Sequence, residues 1–364
     1  MKLRGVMANR RRSDQPKAGA GSAGGGSVAE SIPQILSFGD KSMSPANTPT
    51  VAETPIAVIG AGLIGMSWAA LFSGYGHPVR VWDVRPDVAD TLLPYVARAH
   101  EALQALGQLA ATPGTVTVTT DLAEAITGAR FVQENAPEKL ELKRDLYALI
   151  GKHLAPDAIL ASSTSSIAPS LLQESLPFAD RVLVGHPFNP PHLMPVVEIV
   201  RGEATSDAAA EQAFAFYQSL GRVPLRLHKE VVGHLGNRLQ AALWREAIDA
   251  VDSGLASLED VDAMLTHGLG LRWAVAGPHF SFHLAGGAGG YDNFIGHLGP
   301  AFEAQWRDLR TPELTPELRA KLVKEMNQVA AGQSVTALEG ERDKRLVAIM
   351  QARAALGGPL GRKS

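Results

Sequence analysis

The chain contains no cysteine. This excludes disulfide bonds, thiolate metal sites and a cysteine nucleophile, and it fits a reducing compartment, so a cytoplasmic location is expected. An excess of one charge is also missing. Against 34 Lys and Arg stand 37 Asp and Glu, a net charge of −3, which argues against a surface built for nucleic acid or anionic membrane. No apolar run approaches the roughly 18 residues that a membrane helix requires. What remains is an ordinary globular balance, 45% apolar and 20% charged over 364 residues, long enough for about two domains at roughly 100–200 residues each. The expected partner is a small molecule, with neither nucleic acid nor membrane involved.

Residues 1–52 differ in kind from the rest. Arg10, Arg11 and Arg12 precede a Gly/Ala/Ser run from Ala18 to Ser27, and a proline-rich stretch, Pro45 to Pro55, closes the segment. Such a composition cannot bury enough surface to fold, so a disordered tail is expected. It lacks the apolar core of a secretory signal. Its basic cluster leaves a transit peptide or a nucleic-acid contact as the alternative readings.

From Pro55 onward short apolar runs alternate with helically spaced segments. The runs are Ile56–Ile59, Val79–Trp82, Val116–Val118, Phe131–Val132, Ala158–Ala161 and Val182–Val184, followed by Val196–Val200 and Val223–Leu227. Runs without polar alternation predict strands covered on both faces, and their alternation with helices predicts a doubly wound, mostly parallel α/β sheet over residues 53–228. Between them, Leu92, Val96, Ala99, Leu103 and Leu106 recur at helical spacing, as do Leu140, Leu146, Leu149 and Ile150. Beyond Leu227 the strand signal ends. Leu239, Leu243, Ala247 and Val251 recur at four-residue steps, opening a smaller all-α domain over residues 229–364. Ser257 and Asp260 have the spacing of a capping box, and Pro278–Gly299, rich in glycine and aromatics, fits no clear pattern.

Directly after the first strand comes Gly60-Ala61-Gly62-Leu63-Ile64-Gly65. In a strand–turn–helix context the first glycine permits the tight turn, the second lets backbone approach a pyrophosphate, and the third allows helix to pack on strand. The helix N-terminus, with Leu63 and Ile64, then faces the phosphates. Asp83, at the end of the second strand, occupies the position from which a carboxylate binds the ribose hydroxyls of NAD and repels the 2′-phosphate of NADP. Arg85 nearby would have the opposite preference. The turn itself would also suit FAD, but a base further along the chain suits nicotinamide chemistry better, and NAD is the expected cofactor.

That base is His186, in His186-Pro187-Phe188-Asn189-Pro190-Pro191 after the strand Val182–Gly185. Carboxyl ends of parallel strands line the ligand crevice, and the prolines restrain the loop. Oxidising an alcohol requires a group that takes the hydroxyl proton, and imidazole titrates in the right range. Glu198 is a lone carboxylate inside the apolar strand Val196–Val200. A buried acid needs a partner, and the imidazole is the natural one. The alternative is a loop histidine beside a structurally satisfied glutamate. Ser162 to Ser166 follow another strand into the same crevice or simply cap a helix. Asn237 opens the long helix of the second domain, either as a cap or as a ligand for a substrate oxygen. His279 and His283, four residues apart, have no further ligand nearby, and no metal is expected.

With these motifs in place, Pro55 to Gly299 resembles the L-3-hydroxyacyl-CoA dehydrogenase family. The resemblance rests on the glycine turn, Ser162–Ser166, His186-Pro-Phe-Asn-Pro190 with Glu198, and Gly236-Asn237-Arg238-Leu239. It implies that His186 is the general base, that Glu198 orients it, and that Ser165 and Asn237 hold the substrate oxygen. The stretch Gln133–Lys143 is similar too, which would put Glu138 and Lys143 beside the nicotinamide end of the cofactor. Departures point within the family. Ser163 stands where enzymes of CoA thioesters usually have Asn, and Gly270–Pro278, Leu243–Ala247 and Ala285–Gly290 look more like the L-carnitine dehydrogenase and lambda-crystallin/L-gulonate 3-dehydrogenase branch. Asn237, however, stands where the carnitine enzymes tend to have Asp. Arg272 offers a planar fork for a free carboxylate and Trp273 a face for a quaternary ammonium, although a surface arginine and a core tryptophan would read the same way. The expectation is an NAD-dependent dehydrogenase of a small 3-hydroxy acid, carnitine- or gulonate-like. A hydroxyacyl-CoA dehydrogenase is the alternative, and an NAD-binding protein without turnover a further one. The resemblance also implies a homodimer, for which the Leu239/Leu243/Ala247 face is a candidate unless it is internal core.

Overall fold

A computed structural model describes residues 54–358 and 360; the expected tail over 1–52 lies outside them. The first part of the chain alternates strand and helix: β1 (Ile56–Ile59), α1 (Leu63–Gly74), β2 (Val79–Trp82), α2 (Ala89–Ala105), β3 (Val116–Thr119), α3 (Leu122–Ile126), β4 (Phe131–Glu134), α4 (Leu140–Ile150), β5 (Ile159–Ser162) and α5 (Pro169–Leu172). Then come β6 (Val182–Pro187), β7 (Val196–Arg201), α6 (Asp207–Ser219) and β8 (Val223–Leu227). The strands form one sheet in the order β3-β2-β1-β4-β5-β6-β7-β8. Every neighbouring pair is parallel except β6 with β7. The order of strands reverses between β1 and β4, the switch point at which such sheets open a crevice.

Alternate residues of β1 explain why its run shows no polar alternation. Ile56 and Val58 point into one buried layer with Trp68, Phe72, Leu92, Leu103 and Tyr217. Ala57 and Ile59 point into the other, with Ile126, Tyr147, Ile150 and Leu160. Burial on both faces removes any site for a polar residue. The two edge strands depart from the expectation of full cover: every residue of β3 is half-buried or exposed, and in β8 only Pro224 is buried.

Helices follow: α7 (Gly236–Asp252), α8 (Leu258–Met264), α9 (Gly270–Val275), α10 (Pro278–Ala285), α11 (Gly290–Asp308), α12 (Pro316–Ala330) and α13 (Val335–Ala355). Ser257 caps α8 as its spacing predicted, accepting the Asp260 N–H at 3.1 Å and donating to its carboxylate at 2.6 Å. A π-helical stretch, Leu265–Leu269, joins α8 to α9. The segment that fitted no pattern is two helices around a glycine turn. A Cβ on Gly286 would lie 1.8 Å from the Gly290 carbonyl oxygen, so glycine is what lets α10 and α11 meet, and Phe282 stacks on Phe294 with centroids 4.4 Å apart. The stripe expected on α7 is only half internal: Val251 is buried, whereas Leu239 is 62% and Leu243 38% exposed. Among the described residues no helix is long and apolar enough to cross a membrane.

Close packing at the start of α1 gives the first test. A Cβ on Gly65 would lie 1.9 Å from the Gly60 carbonyl oxygen, a backbone atom with no freedom to move aside. Gly65→Ala should therefore cost about 1–3 kcal/mol in urea unfolding, and an unchanged midpoint would contradict this packing.

Candidate active site

The site is built at the carboxyl ends of β1, β2, β4, β5 and β6. After β1, Gly60 turns with φ of 91°, and a Cβ there would lie 2.9 Å from the Asn135 carbonyl oxygen, so only glycine serves. Gly62 is different: it has an ordinary φ of −71°, and a Cβ would meet nothing within 4 Å. Among the described residues no atom explains that glycine. Open space beside it is what a dinucleotide's phosphates need. The first helical bond of α1 runs from the Met66 N–H to the Gly62 oxygen at 2.9 Å, so the N–H groups of Leu63, Ile64 and Gly65 lie outside the helical ladder at the positive end of α1. At the end of β2, Asp83 accepts the Ala61 N–H at 2.8 Å and the Arg85 N–H at 3.0 Å. Arg85 turns its guanidinium onto this carboxylate and onto the Ala61 oxygen. Burial alone would raise the Asp83 carboxyl, but Arg85 and the two backbone donors outweigh it and hold the group below the usual range. Asp83 thus stays ionised where ribose hydroxyls would meet it. These residues fit NAD.

The antiparallel pairing of β6 and β7 sets His186 directly opposite Glu198. The His186 Nδ1–H donates to Glu198 Oε2 at 2.7 Å, and both residues are almost fully buried, at 4% and 1% exposure. An ionised carboxylate only accepts, so the neutral ring carries its proton on Nδ1 and its lone pair on Nε2. Ser165 Oγ lies 3.2 Å from that Nε2. The other oxygen of Glu198 accepts the Leu235 and Gly236 N–H groups, at 2.9 and 2.8 Å, where α7 begins. Burial pushes the Glu198 carboxyl up, but the His186 bond and the two N–H donors outweigh it and leave it below its ordinary value. The pair is built to hold a proton on the imidazole against a fixed negative charge.

Ser165 is held in turn by Glu138. One Glu138 oxygen accepts from Thr164 Oγ1 at 2.6 Å and from the Ser165 N–H, Ser166 N–H and Ser166 Oγ, each at 2.9 Å. Lys143, 1% exposed, donates to Glu134 at 2.6 Å and to the Ala136 oxygen at 3.0 Å, with Glu138 at 3.9 Å. Both residues expected at the cofactor therefore spend their bonds within the chain, shaping the turn that carries Ser165. Asn237 is the second residue of α7 and does not cap it; Leu235 occupies the cap position, and Asn237 is half-buried with no side-chain hydrogen bond among the described residues. Arg272 and Trp273 lie on α9, the first exposed, the second half-buried with its Nε1 buried and unpartnered.

Two features were missed from the sequence. Glu134 ends β4 fully buried and gathers Ala136 N–H, Lys143, Tyr147 and Ser162. Its signal was the one that revealed Glu198, a lone acid in an apolar strand. His234 packs its ring 5.2 Å from that of His186, and no local pattern marks it.

The family model for the 3-hydroxyacyl-CoA dehydrogenase NAD binding domain matches residues 55–231, and the model for the C-terminal domain of the same enzymes matches 233–326. The chain belongs to the 3-hydroxyacyl-CoA dehydrogenase family. It is similar to the L-carnitine dehydrogenase of Nocardiopsis dassonvillei, 42% identical over 84% of this chain and 94% of that protein. The L-carnitine dehydrogenase of Streptomyces coelicolor is 43% identical over 83% and 95%, and that of Pseudomonas putida 40% over 81% and 92%. Among solved structures, 5-formyl-3-hydroxy-2-methylpyridine 4-carboxylic acid 5-dehydrogenase, titled an NAD+ dependent dismutase, aligns with a TM-score of 0.70 at 31% identity, over 84% of this chain and 99% of that one. As a 3-hydroxyacyl-CoA dehydrogenase family member the chain is an NAD-dependent oxidoreductase.

The site makes two predictions. Gly62→Ala should leave the unfolding midpoint unchanged yet weaken NAD binding, about tenfold by titration, because the added methyl meets only the ligand; equal affinity would contradict the assigned seat. Glu198, with a lowered folded value, stabilises the protein fully above the ordinary glutamate range near about 4.3, and that contribution is lost as pH falls through the lowered value. Glu198→Gln should lose stability at neutral pH, and the difference from wild type should shrink on acidification. A pH-independent difference would contradict it.

Proposed function

We propose that this chain oxidises the L-3-hydroxyl of a small, free 3-hydroxy carboxylic acid to the 3-keto acid, reversibly. The observation that carries the reading is the buried Glu198–His186 pair with Ser165 on its free nitrogen, at the edge of a sheet whose glycine turn fits NAD. NAD, when bound, accepts the hydride from the carbinol carbon. The substrate hydroxyl lies against both Ser165 Oγ and His186 Nε2, which are themselves in contact, and its proton passes to Nε2. The imidazolium so formed is stabilised by the ionised Glu198. In the reverse direction the same nitrogen returns the proton to the keto oxygen. Asn237, with an uncommitted amide, is a second ligand for the substrate oxygen. Leu63, Ile64 and the glycines hold the pyrophosphate, Asp83 the ribose, and Glu138 and Lys143 support the turn beside the nicotinamide.

A free acid is favoured over a thioester by two things. The relatives at about 40% identity are L-carnitine dehydrogenases, and Arg272 is exposed on α9 with no ion pair among the described residues, open to a carboxylate. Trp273 on the same helix is the candidate face for a quaternary ammonium. A homodimer is also proposed: Leu239, Leu243 and Trp244 are exposed along α7, an apolar strip that a second copy would cover.

The test is NADH formation from carnitine, gulonate and 3-hydroxybutyrate beside hydroxybutyryl-CoA, with NADP as control. Free acids should be oxidised with NAD, and His186→Ala should lower turnover by about 10²–10⁴-fold with NAD affinity retained. Oxidation of the thioester alone, or a near-normal rate in His186→Ala, would contradict the reading.

A further inference from the structure

His234 sits in the turn that leads into α7 and is almost fully buried. Its backbone is left-handed, with φ of 47°, next to Gly233 at 78°. Histidine tolerates this region better than most residues but still at a cost, and such outliers persist where their surroundings impose them. Its Nε2 lies 3.0 Å from the Thr164 carbonyl oxygen. A carbonyl only accepts, so Nε2 carries the proton and Nδ1 the lone pair, and that Nδ1 is buried without a hydrogen-bond partner. The ring is tilted 54° against His186 at 5.2 Å between centroids.

The position of these bonds gives them meaning. Thr164 immediately precedes Ser165, whose hydroxyl touches His186 Nε2. Leu235 and Gly236, which immediately follow His234, donate the two N–H bonds that fix Glu198. We infer that His234 is a positioning residue for the reaction, whose Nε2–H ties the Ser165 turn to the turn that clamps Glu198. The inference rests on the reading of His186 as the base. The titratable groups whose charge acts on this ring are His186 from β6, Glu198 from β7 and Glu138 ahead of α4. Burial keeps its own affinity for protons below the ordinary histidine value, so the ring is neutral and no second positive charge opposes the imidazolium formed next to it.

Full-length His234→Phe, His234→Gln and wild type test this. Phenylalanine fills the volume but donates nothing, whereas the glutamine amide reaches the place of Nε2. His234→Phe should lower kcat about tenfold to a hundredfold, with KM for the hydroxy acid and NAD within about threefold. It should also move the acid limb of the kcat/KM profile to higher pH, because a Glu198 that loses its N–H donors becomes more basic and favours the protonated imidazole. His234→Gln should restore most of the rate and the wild-type limb. Hydrogen exchange, which needs no substrate, should quicken at Leu235, Gly236 and residues 163–166 in His234→Phe and stay slow in His234→Gln. Wild-type rate, profile and exchange in His234→Phe would overturn the inference, as would a His234→Gln as impaired as His234→Phe. If wild type oxidised none of the acids, the substrate reading would fail while exchange still decided this one.

Discussion

Glu198 carries two duties on two oxygens, and the site is organised around that division. One oxygen holds the His186 ring and the other holds the first N–H groups of α7. A buried carboxylate is tolerable only with such donors around it. The same acid therefore fixes the tautomer of the base and ties the helical region to the sheet. The reversal of direction at β7 makes this possible, since an antiparallel neighbour is what sets Glu198 opposite His186 across a single ladder position.

A second buried acid does similar work on the cofactor side. Glu134 lies at the end of β4, neutralised by Lys143 and bonded by Tyr147 and Ser162. Lys143 reaches on towards Glu138, and Glu138 accepts four bonds from the turn that carries Ser165. The serine is thus positioned by a chain of charges that runs from the buried Glu134–Lys143 pair to the exposed Glu138, while the histidine is positioned by a charge from β7. Helix dipoles supply the remaining fixed fields: α1 faces the phosphate seat and α7 faces Glu198.

Much of this was legible in the sequence because it rests on local signals. Eight apolar runs became eight strands, and the glycine turn with Asp83 lies where strand–turn–helix spacing placed it. His186 and Glu198 were readable as a pair because a lone acid in an apolar strand demands a partner. The features that escaped depend on tertiary contacts. No local signal showed that Lys143, expected beside the nicotinamide end of the cofactor, is held in the core by Glu134. Asn237 read either as a helix cap or as a ligand for a substrate oxygen, and the N–H groups that open α7 are bonded instead by a carboxylate from a distant strand. Glycines that let α10 pack against α11 hid two helices in a segment that fits no clear pattern. His234 has no signal at all, because its meaning comes from a ring brought beside it by the fold.

The central claim is that His186 and Glu198 act as one unit, and a double-mutant cycle on kcat/KM tests it most directly. Glutamine at 198 must offer its N–H to Nδ1 and so reverses the tautomer, a fault that matters only while the imidazole is present. Adding Glu198→Gln to His186→Ala should then cost little or nothing beyond His186→Ala alone. Losses that multiply across the two positions would show the residues working independently and would contradict the account.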